Sequence, residues 1–188
     1  MPRRDRHDAD DDSVPVMVPR NDKPLVAVAP ERVRRLREHL IKTLRDVRKA
    51  RQIEPLTAPL RPPPSGFAGV VARSACSLCK GWCCRNGGDD AFLDDRTLAR
   101  MRRADPGMTD QAMLRRYLDR VPAVAYRDSC IYHGKHGCML DRSMRADVCN
   151  TYYCGGLDAF MKGNATGAPT VVIAGEGNTL RTSPVLTP

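Results

Sequence analysis

The sequence predicts a small, irregular, mainly α cysteine-rich domain with an N-terminal basic helix and disordered tails. Three observations predict it. All nine aromatic residues lie between Phe67 and Phe160 and all eight cysteines between Cys76 and Cys154, so the anchors of a packed core are confined to the middle of the 188-residue chain. Ten of the fifteen prolines fall in residues 1–64, where no packed core is expected. Apolar residues recur at helical spacing in three segments, while runs that alternate as strands do are scarce.

The first 30 residues combine prolines with the acidic run "DADDDS" and are expected to form a disordered arm. Residues 31–54 read as a basic amphipathic helix, with Val33, Leu36, Leu40, Leu44 and Val47 on one face and prolines at both ends. That segment holds nine basic and four acidic side chains, net +5 of the chain's +9. The excess suits an acidic protein or a nucleic acid as partner, or else a solvated face whose apolar stripe packs on the cysteine domain. No aromatic residue interleaves the arginines, which excludes a stacking platform for single strands. Residues 55–65, "PLTAPLRPPPS", read as a stiff proline-rich linker.

Residues 66–165 are expected to form the cysteine domain, at a size where a hydrophobic core alone is marginal and a staple is useful. Inside it "DDRTLARMRRADPG" reads as a short helix with an Asp N-cap, stopped at Pro106-Gly107. "TDQAMLRRYLDRVP" reads as a second, with Met113, Leu114, Tyr117, Leu118 and Val121 inward. Residues 166–188 form a tail with a candidate hairpin at "PTVVIAGEGNTLRT". The start of the chain offers no apolar h-region, and no apolar run approaches the roughly 20 residues of a membrane span. A cytoplasmic location without a transmembrane segment is the expectation.

In a reducing compartment, clustered thiols point to metal capture or redox chemistry before disulfides. The first group is Cys76-x2-Cys79-x3-Cys83-Cys84 and the second Cys130-x7-Cys138-x10-Cys149-x4-Cys154. Two-residue spacing lets a tight turn aim two thiolates at one ion, and Gly81 stands where such a turn needs a positive φ. All eight cysteines are candidate metal ligands, so the domain is expected to be metal-stapled. All-thiolate sites take zinc or iron, an iron–sulfur cluster included. Adjacent side chains diverge, so Cys83 and Cys84 are expected to face different sites, unless one of them is not a ligand. His133 and His136 read as solvated loop residues, and Tyr152 and Tyr153 as a wall between the site and water.

"CSLCKGWCC" followed by "CIYHGKHGCMLDRSMRADVCNTYYC" resembles the zinc- or iron-chelating cysteine-cluster family, the YkgJ-like proteins, over roughly residues 72–160. One extra residue between Cys79 and Cys83, Ala146 in place of a proline and Asn150 in place of an arginine set the chain apart as a subgroup. The resemblance implies a cytosolic metal-binding protein of unassigned biochemical role. Through relatives that resemble flagellin lysine N-methylases, it also implies an iron–sulfur-dependent enzyme as an alternative. A thiol-based redox sensor is the third reading. No catalytic residue is assignable outside the cysteines.

Overall fold

The computed structural model describes residues 13–49, 62–163 and 167–188. In chain order the elements are β1 (Val14–Pro19), β2 (Leu25–Ala27), α1 (Pro30–Lys49), α2 (Gly66–Cys79), a 3-10 turn over Trp82–Asn86, α3 (Asp95–Ala104), α4 (Asp110–Leu118), β3 (Val124–Tyr126), β4 (His133–Gly134), β5 (Gly137–Cys138), a second 3-10 turn over Arg142–Met144, α5 (Asp147–Thr151), α6 (Gly155–Gly163), β6 (Thr170–Glu176) and β7 (Thr179–Thr182). The architecture is therefore mixed helix and sheet. It falls into two compact units, one of Met1–Pro19, Pro63–Cys79 and Cys154–Pro188, the other of Arg20–Pro62 and Lys80–Tyr153.

The first unit is built on a three-stranded sheet of order β1-β6-β7. β1 runs parallel to β6, Val16 opposite Val172 and Val18 opposite Ala174, while β7 returns antiparallel with Thr182 opposite Ile173. Val16, Val18, Val172 and Ala174 are buried, and α2 covers them with Val71, Ala72 and Ala75. α6 adds Leu157 and Phe160, whose ring meets Phe67 edge-on at 6.3 Å. A Cβ on Gly156 would lie 1.7 Å from the Met17 carbonyl oxygen, so only glycine lets α6 start this close to β1.

β1 corrects the expectation of a disordered arm over 1–30, for which residues 1–12 lie outside the described part. "VPVMVP" alternates with period two, burying Val16 and Val18 and exposing Pro15 and Met17. Its two prolines are tolerated because β1 is an edge strand, with one row of backbone groups needing no partner.

The second unit is centred on α1. Leu36, Leu40, Leu44 and Val47 bury into one cluster with Leu98 and Met101 of α3, Met113 and Tyr117 of α4, and Ile131 and Tyr132. Each such side chain is worth about 1.5–3 kcal/mol in burial. The basic helix is thus part of the cysteine domain's core, the outcome expected of an apolar stripe that packs on that domain and not of a separate module on a tether; residues 50–54 of the expected helix and 55–61 of the linker lie outside the described part. Ion pairs pin the helix down: Arg32 and Arg35 reach Asp89 at 2.5 and 2.7 Å, and Arg48 shares Asp110 with Arg102, while Arg34 and Glu38 pair within the helix at 3.1 Å. α3 begins where Asp94 accepts from the Thr97 N–H at 2.8 Å, and α4 where Thr109 accepts from the Ala112 N–H at 3.1 Å. A short β2–β3 ladder sets Leu25 opposite Tyr126, and β4 and β5 pair His133 with Cys138. No helix among the described residues is long and apolar enough to cross a membrane.

Candidate thiol site

The eight cysteines divide between the two units. Cys76, Cys79 and Cys154 belong to the first, and Cys83, Cys84, Cys130, Cys138 and Cys149 to the second. No disulfide links any of them. Cys76 and Cys79 do not form the expected tight turn. They occupy the last turn of α2, Cys76 exposed and Cys79 buried, because the helix runs on through "SACSLC" until Lys80 and Gly81 take positive φ, 49° and 67°.

The turn Lys80–Cys84 then folds onto the Cys130 segment. The Cys84 N–H donates to the Gly81 carbonyl at 2.9 Å. The Cys84 carbonyl accepts three hydrogen bonds, from the Cys130 N–H at 2.9 Å, the Gly87 N–H at 3.1 Å and the Ser129 hydroxyl at 3.0 Å. A Cβ on Gly87 would stand 2.7 Å from Cys130 Cβ and 3.2 Å from its sulfur, so the glycine is what admits Cys130 against the turn. Residues far apart in sequence are in this way held side by side by backbone geometry.

Cys83 and Cys84 do not diverge as expected. Their thiols hydrogen-bond to each other. Neighbouring Cα atoms are about 3.8 Å apart, and rotation about one χ angle in each residue swings two large sulfur atoms back into contact. The hydrogen bond from Cys84, with help from the Cys83 and Cys84 N–H groups and the Arg145 charge, outweighs burial and lowers the Cys83 pKa to about 7. The same hydrogen bond, with burial and the nearby Cys83, Cys130 and Cys138, drives Cys84 far upward. Burial pushes Cys130 up to about 12, against an N–H from Tyr132, and Cys149 up to about 11, with Cys138 and Cys83 adding to it. Burial and neighbouring thiols thus disfavour ionisation of Cys84, Cys130 and Cys149 while Cys83 is favoured, and the Arg145 charge helps Cys83 and offsets part of the effect at Cys149.

Arg145 and Cys149 owe their place to α3. Arg100 donates to the Arg145 carbonyl at 2.5 Å and pairs with Asp147. Arg145 donates to the Leu140 carbonyl at 2.8 Å, and Asn150 to the Arg142 carbonyl at 2.9 Å. Tyr117 adds a hydroxyl bond to the Met144 carbonyl at 2.9 Å. No local pattern marks Arg100; only its burial beside Asp147 in the fold reveals it.

His133 is also corrected. It is buried, 1 % exposed, with its ring 4.6 Å from that of Tyr126, whereas His136 is exposed. Burial lowers its pKa to about 4, against a hydrogen bond to the Lys80 carbonyl, so the ring is neutral. Its Nδ1 lies 2.7 Å from the Ser129 hydroxyl. Tyr152 is 52 % exposed and does not wall anything from water.

Among the described residues, no group of three or more His, Cys, Asp or Glu side chains is arranged to hold a metal ion. The donor chemistry of the second unit, five thiols with one nearby guanidinium, suits zinc or iron, but a closed ligand set requires side-chain rotation. No family model matches the chain, and neither a curated protein nor a solved structure does.

Proposed function

We propose that this chain binds zinc or iron through thiolates of the second unit, with Cys83, Cys84, Cys130, Cys138 and Cys149 as the donors. The observation that carries the reading is the docking of the Cys84 carbonyl on the Cys130 N–H, the Ser129 hydroxyl and the Gly87 N–H, which fixes the backbones of the two cysteine groups against each other. The raised pKa values of Cys84, Cys130 and Cys149 support it, since a bound dication is the partner whose charge favours all three thiolates together. Cys83 and Cys149 are exposed, so each can reach a new rotamer at little cost when the ligand set closes. The spacing shared with cysteine-cluster proteins points the same way. Cys76, Cys79 and Cys154 remain candidate ligands in the first unit.

The metal acts here as a structural staple, whose binding energy is folding energy. Protein purified without oxygen is expected to carry zinc or iron near stoichiometry by elemental analysis, and Cys84→Ser or Cys130→Ser to lower that content severalfold. Protein that contains no metal and takes up neither added zinc nor ferrous iron sinks the reading. One observation favours a second reading, a thiol-based redox sensor: Cys83 is exposed and its thiol is acidified by its neighbour. A sulfenate-specific probe that labels Cys83 after a brief hydrogen peroxide pulse, in metal-free and metal-loaded protein alike, would select that reading.

A further inference from the structure

We infer that Ser129 and His133 are the positioning residues of the thiol site, a buried hydroxyl–imidazole pair that brackets the turn carrying Cys83 and Cys84, and that the imidazole is not itself a ligand. The inference rests on the reading of these two cysteines as donors.

Both side chains are almost fully buried, each 1 % exposed, and linked at 2.7 Å. At the start of the turn, the His133 ring donates to the Lys80 carbonyl, which also accepts from Asn21 Nδ2 at 3.4 Å. Lys80 sits in the left-handed region at φ 49°, a conformation that strains a lysine and persists only where the surroundings impose it. Gly81 packs directly against the imidazole: a Cβ there would stand 2.3 Å from Nε2. At the end of the turn, the Ser129 hydroxyl stands 3.0 Å from the Cys84 carbonyl and 2.7 Å from Nδ1, and its single proton is shared between these two acceptors in a three-centre hydrogen bond. The pair thus grips the turn at Lys80–Gly81 and again at Cys84, with Cys83 in between, and the Tyr126 ring covers the imidazole at 4.6 Å. Nδ1 faces Ser129 and the ring N–H goes to a backbone carbonyl, so neither nitrogen is left for an ion. A histidine placed between two cysteines in sequence here acts on the sulfurs through the backbone that presents them.

The test reads sulfur convergence directly. Phenylarsine oxide captures two thiols only when both reach one arsenic: two As–S bonds form, the As=O oxygen leaves as water with the two thiol protons, and no electron is transferred. Wild-type protein is expected to take one equivalent at Cys83–Cys84, located by peptide mass mapping. Ser129→Ala and His133→Phe are expected to slow this capture about tenfold, the worth of one or two hydrogen bonds. Iodoacetamide labelling of Cys149 should stay at its wild-type rate. His133→Gln, which keeps a donor and an acceptor, should recover most of the capture rate. Should His133→Phe fail to fold, the smaller Ser129→Ala change decides. Folded variants with wild-type capture, or with all thiols slowed alike, overturn the inference. Zinc uptake measured in parallel separates the two claims: wild-type protein that captures arsenic but takes up no zinc or iron defeats the metal reading and leaves the positioning role standing.

Discussion

Asp89 carries two arginines of α1 on one carboxylate, and its side chain is only 19 % exposed. Burial opposes its ionisation, but the hydrogen bonds and charges of Arg32 and Arg35 win and hold its pKa below 3.8. A carboxyl with a folded pKa below its unfolded one contributes stability that is complete above the unfolded value and disappears as pH falls through the folded one. Stability is therefore expected to decline below about pH 4, and Asp89→Asn, costing roughly 1–3 kcal/mol at neutral pH, should flatten that part of the profile in urea titrations. Equal slopes for wild type and variant would remove Asp89 from the account. Two glycines make sharper residue-scale predictions. Gly87→Ala drives a methyl group into Cys130 and should cost about 1–3 kcal/mol. Gly156→Ala meets backbone at Met17 and should cost at least as much, read as a fall in the thermal midpoint.

Helix α1 was legible as an element and illegible as a neighbour. Its stripe of Val33, Leu36, Leu40, Leu44 and Val47 follows from a 3.6-residue period, but nothing in that period says which surface covers it. The fold answers with α3, α4 and the segment around Ile131, leaving Leu36 and Leu40 fully buried. Leu40→Ala is expected to cost about 2–5 kcal/mol, the range for a core leucine. Deleting residues 1–60 should unfold the second unit, seen as loss of helicity well beyond the residues removed. A truncated protein that keeps the near-ultraviolet signal of Tyr117 and Tyr132 would return α1 to the status of an appended module. Caps were legible for a different reason. Asp94 and Thr109 act within three residues of themselves, so the helix starts they mark need no tertiary information.

At the scale of the molecule, the first unit is assembled from three separate stretches of chain, and its sheet joins the residues around Val14 to those around Thr170. Removing residues 168–188 takes away β6 and β7 and leaves β1 without a strand beside it. The expected outcome is exposure of Phe67 and Phe160 and protease sensitivity of α2, while the α1 core of the second unit keeps its protection in hydrogen exchange. Uniform loss of protection in both units would show that the two fold as one cooperative block.

The sequence by itself determined the groups that act locally: the helix starts at Asp94 and Thr109, the inward face of α1, the positive φ of Gly81, and a thiol-rich chemistry concentrated in two short stretches. Each depends on residues within about one turn of one another, and periodicity and backbone sterics suffice to read them. Tertiary structure alone decided that "VPVMVP" is a sheet edge, that Cys84 docks on Cys130, that Arg100 fixes the segment leading to Cys149, and that His133 is buried under Tyr126. Those outcomes come from contacts between residues distant along the chain, where the close approach allowed by Gly81, Gly87 and Gly156 selects the partner and no local pattern records it.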